Sequence, residues 1–132
     1  MNNYFEIKNL QCSYECKATN PKIVLQVDEL SIPKGEMVFI VGQSGCGKST
    51  ILETLGLMNN TILSTEKFMI YPEENREIDV TRVWRQKNRV LSEIRKKYFS
   101  FIFQQTNLMQ NFSIWENAII PQLIKMIQGG GV

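Results

Sequence analysis

A chain of 132 residues, 43% of them hydrophobic, suits one globular unit or part of one, and its composition carries no sign of disorder or of a fibrous repeat. Fifteen Lys and Arg against thirteen Asp and Glu leave a net charge of +2, which excludes a whole-surface field recruiting nucleic acid; any basic partner site must be local. An odd number of cysteines, three, and a start without the apolar core of a secretory signal lead us to expect a reducing cytoplasm, and the longest apolar runs fall far short of the roughly 18 to 20 residues that span a bilayer as a helix.

In chain order, alternating apolar positions at Phe5, Ile7 and Leu10, and again at Leu25, Val27, Leu30 and Ile32, predict two strands with one buried face each, joined by a turn over Lys17 to Lys22. Pro33, Lys34 and Gly35 predict a second turn into Met37-Val38-Phe39-Ile40-Val41. That run has no polar face, so a strand buried on both sides is expected, as in a parallel α/β sheet. A helix is predicted over Ser49 to Leu57, and a strand over Phe68 to Tyr71 ended by Pro72. One helix is expected from Thr81 to Lys97, with Val83, Val90, Leu91 and Ile94 on a single face, then a strand over Phe99 to Phe103. The last helix should begin at Ser113, where Ser113 and Glu116 can satisfy each other's backbone N–H groups, and Gly129 to Gly131 should stop it.

The chemistry lies between the third strand and the first helix. Gly42-Gln43-Ser44-Gly45-Cys46-Gly47-Lys48-Ser49 satisfies G-x-x-x-x-G-K-[ST], in which glycines let successive N–H groups converge on phosphate oxygens. The helix start adds unpaired amides and its dipole, Lys48 a charge for the β and γ phosphates, and Ser49 a hydroxyl for magnesium. A chance match would arise on the order of once in 200 random chains of this length. The strand-loop-helix context makes accident rarer still.

This loop, extended to Thr50, resembles the fuller G-x-S-G-x-G-K-S-T form of the ATP-binding-cassette (ABC) family. Phe101-Ile102-Phe103-Gln104-Gln105-Thr106-Asn107-Leu108 looks like that family's Q-loop, which implies that Gln104 touches magnesium and the attacking water. Tyr14 resembles the aromatic that stacks on adenine, a contact worth about 1 to 3 kcal/mol; the plainer reading is a half-buried tyrosine at a strand end. Asn107 to Asn117 looks most like the lipoprotein-release and macrolide-efflux branch, with Gln110 where a proline is common. Lys34-Gly35-Glu36 fits as well, so the resemblance runs from Phe5 to about Ile124.

The resemblance implies an α/β P-loop NTPase core with an N-terminal antiparallel β region, divided as 1–36 (β region), 37–57 (strand, loop, helix), 58–98 (variable connection) and 99–128 (Q-loop strand and helix). It implies ATP and Mg2+, with Tyr14, Gly42, Gln43, Ser44, Gly45, Cys46, Gly47, Lys48, Ser49 and Thr50 toward the nucleotide and Ser49 and Gln104 toward the metal. The family's signature sequence, its Walker B strand and its switch histidine are expected beyond residue 132, so these residues alone should bind ATP without hydrolysing it. Implied partners are an integral membrane transporter subunit and a second ATP-binding subunit, at the inner face of the cell membrane. Alternatives are a non-transport ABC protein acting on DNA or ribosomes, and a regulatory fragment without turnover.

Three further features read plainly. Val24 to Glu29 mimics a Walker B strand with Asp28 and Glu29, but on the wrong side of the P-loop, so an ordinary early strand is expected. Cys12 and Cys16, without a histidine, cannot complete the usual four-ligand zinc site and read as free thiols. The basic stretch Arg82, Arg85, Lys87, Arg89, Arg95, Lys96 and Lys97 reads as a solvated helix face rather than a nucleic-acid or membrane patch.

Overall fold

The computed structural model describes residues 2–86, 88–102 and 110–129. They fall into two compact units, Met1–Ser100 and Phe101–Val132.

The first unit is built on a five-stranded sheet with β1 (Asn3–Cys12) at its centre. Along the path β2 (Leu25–Pro33), β1, β4 (Lys67–Glu73) and β5 (Arg76–Asp79), every neighbour is antiparallel, and β3 (Ile62–Ser64) pairs with the far end of β1. Phe5 lies opposite Ile32 on one side and Ile70 on the other, and Ile7 opposite Leu30 and Phe68, so one apolar row crosses three strands. The alternation in β1 slips at Asn9, whose φ of 49° is left-handed, a conformation asparagine tolerates better than most. Buried positions therefore run Phe5, Ile7, then Leu10, Cys12, and β1 passes from β4 to β3 at that slip.

Helices α1 (Lys48–Leu55) and α3 (Asn88–Tyr98) add Ile51, Leu55, Leu91 and Ile94 to the same buried cluster. The single helix expected from Thr81 to Lys97 is instead two, α2 (Val80–Val83) and α3, with a turn at Trp84 to Gln86. Asp79 starts α2 by accepting the Thr81 N–H at 3.0 Å, but Val80, Thr81, Val83 and Trp84 are weak helix formers and the turn does not propagate. Val83 therefore leaves the phase of α3, and Val90 is exposed while Leu91 and Ile94 are buried. Strand β4 also runs one residue past Pro72, where its register with β5 shifts and no ladder donor is needed.

Two predicted strands are corrected. Residues 99–102 join no strand: the Phe99 N–H is taken by the Arg95 carbonyl at 3.0 Å, continuing the geometry of α3, while its ring packs 6.1 Å from that of Phe5. The run Met37 to Val41 is likewise unpaired among the described residues and is not buried on both sides. Met37, Phe39 and Val41 are 80%, 78% and 85% exposed, against 48% for Val38 and 37% for Ile40. All five residues are exposed; the period of two survives only in that Val38 and Ile40 are less so and line an apolar cleft beside β2, and among the described residues no parallel strand pairs with the run.

In the second unit, α4 (Ile114–Gly129) starts as the sequence predicts. Ser113 Oγ accepts the Glu116 N–H at 3.2 Å, and Glu116 accepts the Ser113 N–H at 2.7 Å. The Ser113 N–H, and after it the Ser113 hydroxyl, hold the Glu116 carboxyl below its ordinary range. Phe112, Ile114 and Trp115 at this helix start are exposed. Among the described residues no helix is long and apolar enough to cross a membrane.

Candidate functional site

The loop from Gly42 to Gly47 leads into α1 in the manner its glycines dictate. Gly45 and Gly47 have φ of 82° and 101°, values that an L side chain adopts at a cost. At Gly42 the demand is space, because a Cβ there would stand 2.6 Å from Cys46 Sγ. Gly47 is also the N-cap of α1; it offers no side-chain cap, and no acidic residue lies in the first turn. The helix start is thus left electropositive. The first turn closes with the Ile51 N–H on the Gly47 carbonyl at 2.9 Å.

Lys48 folds back over the loop. Its ammonium donates to the carbonyls of Gly42 at 2.6 Å and Gln43 at 2.5 Å, and lies 3.8 Å from the exposed Cys46 thiol. Gln43, Ser44 and Ser49 are exposed, so Ser49 is open to solvent at the second position of the helix. Beneath the loop, β2, the run 38–41 and α1 enclose an apolar cleft of about 280 Å³ against Gly47 and Lys48. The donor set fits a polyphosphate: left-handed glycines, an uncapped helix start and one flexible cation.

Tyr14 stands just past the end of β1, 64% exposed, so it is not the half-buried strand-end residue of the plainer reading. Its hydroxyl shares a 2.8 Å hydrogen bond with Oγ1 of Thr50, in the first turn of α1. The two ends of the predicted site, far apart in sequence, are thereby brought together. Gln104, the expected water and magnesium contact, lies outside the described residues, as does the rest of the Q-loop from Phe103 to Leu108.

Sequence reasoning missed the polar cluster behind Thr50. Thr54 Oγ1 donates to the Thr50 carbonyl at 2.7 Å and lies 3.3 Å from the hydroxyl of Thr61, which donates to Asn59 Oδ1 at 2.9 Å. Thr50, Thr54 and Thr61 are all buried. A threonine facing its own helix carbonyl four residues back has no sequence signature apart from the fold.

The other candidates resolve simply. Asp28 and Glu29 sit on the exposed part of β2, Asp28 accepting from Gln26 at 3.2 Å and Glu29 paired with Lys8 at 3.8 Å. The three cysteines are free; burial pushes the Cys12 thiol up, and the Cys16 thiol donates to the Ser13 carbonyl at 3.0 Å. Three residues of the basic stretch are paired within the fold, Arg82 with Asp79, Arg89 with Glu93 and Lys97 with Glu73, and Arg95 donates to the Leu57 carbonyl at 2.6 Å. Lys87 lies outside the described residues.

An apolar run entering a glycine loop, a lysine at the head of a helix and an aromatic tied to that helix define a P-loop nucleotide-binding class. The family model for ABC transporters matches residues 25–130, and the chain belongs to the ABC transporter family. It is similar to the lipoprotein-releasing system ATP-binding protein LolD of Bacteroides fragilis, at 41% identity over 101 residues, covering 76% of this chain and 42% of that protein. It is 31% identical over 122 residues to the bacitracin export ATP-binding protein BceA of Halalkalibacterium halodurans, covering 92% of this chain and 44% of that one. The macrolide export ATP-binding/permease protein MacB of Aggregatibacter actinomycetemcomitans is 34% identical over 121 residues, 92% of this chain and 17% of the relative. The chain thus spans less than half the length of these relatives.

Proposed function

We propose that this chain binds Mg-ATP at Gly42 to Thr50 as the ATP-binding part of an export system of the lipoprotein-release and macrolide-efflux branch. The single observation that carries the reading is the Gly45 and Gly47 backbone opening onto an uncapped α1 with Lys48 at its first position. In this reading the loop amides and the Lys48 ammonium receive the β and γ phosphates, exchanging the Gly42 and Gln43 carbonyls for phosphate oxygens. The left-handed glycines set the path of the loop backbone before the ligand arrives, which limits the reorganisation needed. Tyr14 offers its exposed ring to the adenine. Magnesium would be held by the Ser49 hydroxyl and would neutralise phosphate charge.

Phosphoryl transfer is driven almost entirely by positioning and charge stabilisation, and the loop residues Gly42 to Thr50 include no carboxylate to serve as a base. Residues 1–132 by themselves therefore bind without turnover. Calorimetric titration with Mg-ATP beside a phosphate-release assay tests this: saturable binding with release at background is expected, and release above background would overturn the binding-only assignment.

Partner assignment follows the same relatives, whose names describe ATP-binding proteins of export and release systems, one of them fused to a permease. The exposed Phe112, Ile114 and Trp115 at the start of α4 give an apolar contact for an integral membrane subunit, with a second ATP-binding subunit completing the pair and the assembly lying at the inner face of the membrane. Copurification should bring down an integral membrane protein; recovery of nucleic acid instead would point to the non-transport alternative.

A further inference from the structure

Tyr14 is held at two places that lead to one another. Its turn is pinned through its neighbours: the Ser13 N–H donates to the Thr61 carbonyl at 2.8 Å, the Glu15 N–H to Ser13 Oγ at 3.0 Å, and the Cys16 thiol to the Ser13 carbonyl at 3.0 Å. Its hydroxyl is pinned to Thr50. Between Thr61 and Thr50 runs the buried bridge through Thr54 Oγ1, which donates to the Thr50 carbonyl and lies 3.3 Å from the Thr61 hydroxyl. The chain of contacts Ser13, Thr61, Thr54, Thr50, Tyr14 closes on itself, and the buried side-chain polar atoms described all have partners.

We propose that Thr50 is the positioning residue for the base subsite: its hydroxyl fixes the exposed Tyr14 ring against the first turn of α1, so that the helix start that receives the phosphates also sets where the purine stacks. This inference rests on the nucleotide reading above. Its physical basis is the contrast between a ring that is mostly solvent-exposed, and so free to rotate, and a hydroxyl in the buried Thr50 that needs a partner. Tethering settles both at once. An untethered ring must be ordered when the base binds, at a cost in affinity of about three- to tenfold.

The test compares Mg-ATP with Mg-tripolyphosphate, which lacks the base, by calorimetry on the full chain. In Thr50→Val and in Tyr14→Phe the ratio of ATP to tripolyphosphate affinity should fall about three- to tenfold, and Thr50→Ser should restore it. The double variant Y14F/T50V should fall no further than either single change, because both break one bond. Tyr14→Phe alters an exposed side chain, so it keeps the test decisive if Thr50→Val folds poorly. A purely structural role for Thr50 would weaken both ligands alike and leave the ratio unchanged, and that outcome overturns the inference while leaving the phosphate site standing. Failure of the wild-type chain to bind either ligand overturns the nucleotide reading and this inference with it.

Discussion

The antiparallel sheet and the run that enters the P-loop have similar apolar content and opposite fates. In the sheet, β1, β2 and β4 find all their strand partners as antiparallel neighbours within residues 3–79, and Ile7, Leu10, Phe68 and Ile70 disappear from solvent. Met37 to Val41 is just as apolar, yet all five of its residues stay exposed: it reads as the centre of a parallel sheet, and among the described residues no strand pairs with it. Antiparallel order is locally sufficient; parallel order is not. The candidate loop follows that unpaired run, and its geometry is set by its glycines and by α1.

Breaking the sheet should have the largest effect. Phe68→Ala empties a fully buried site and is expected to cost about 3 to 5 kcal/mol in urea titration, enough to unfold a marginal domain. Next comes the loop: Gly47→Ala forces a Cβ into φ of 101°, 3.2 Å from Leu25 Cδ1, for about 1 to 2 kcal/mol and weaker Mg-ATP binding. A neutral result there would mean the left-handed turn is not needed.

A smaller effect belongs to the sheet surface, where Lys67 and Asn3 donate to Glu6 and hold its carboxyl below the ordinary range, the Lys67 bond being the larger cause. A lowered folded-state pKa stabilises above the unfolded value and is lost as pH falls through the folded one. The melting temperature of the wild type should therefore exceed that of Glu6→Gln at neutral pH, with the gap closing in acid; a gap that widened in acid would refute the pairing. Smallest of all, Phe39→Ser should change stability by no more than about 0.5 kcal/mol, since its ring is already exposed. A loss as large as that of Phe68→Ala would show that the two regions do not differ.

Much of this was legible in the residues. The phosphate loop is fixed by residue types at set spacing, and the helix start at Ser113 by a reciprocal cap, so both are local and both appear where expected. Strands β3 and β5 were invisible because three and four residues are too few to show a period. The break between α2 and α3 was hidden by Val83, whose spacing to Leu91 and Ile94 imitates one continuous face. The link from Tyr14 to Thr50 joins distant positions through a buried hydroxyl, and no window along the chain contains it.

The central claim is that amides at Gly42 to Thr50 and the Lys48 ammonium gather around a triphosphate. Thermal unfolding with and without Mg-ATP addresses it most directly. At about one hundred times the dissociation constant, ligand linkage stabilises the folded state by about 2.7 kcal/mol and raises the wild-type melting temperature. Lys48→Ala should lose most of that rise, whatever its melting temperature without ligand; an equal rise in wild type and variant would contradict the account.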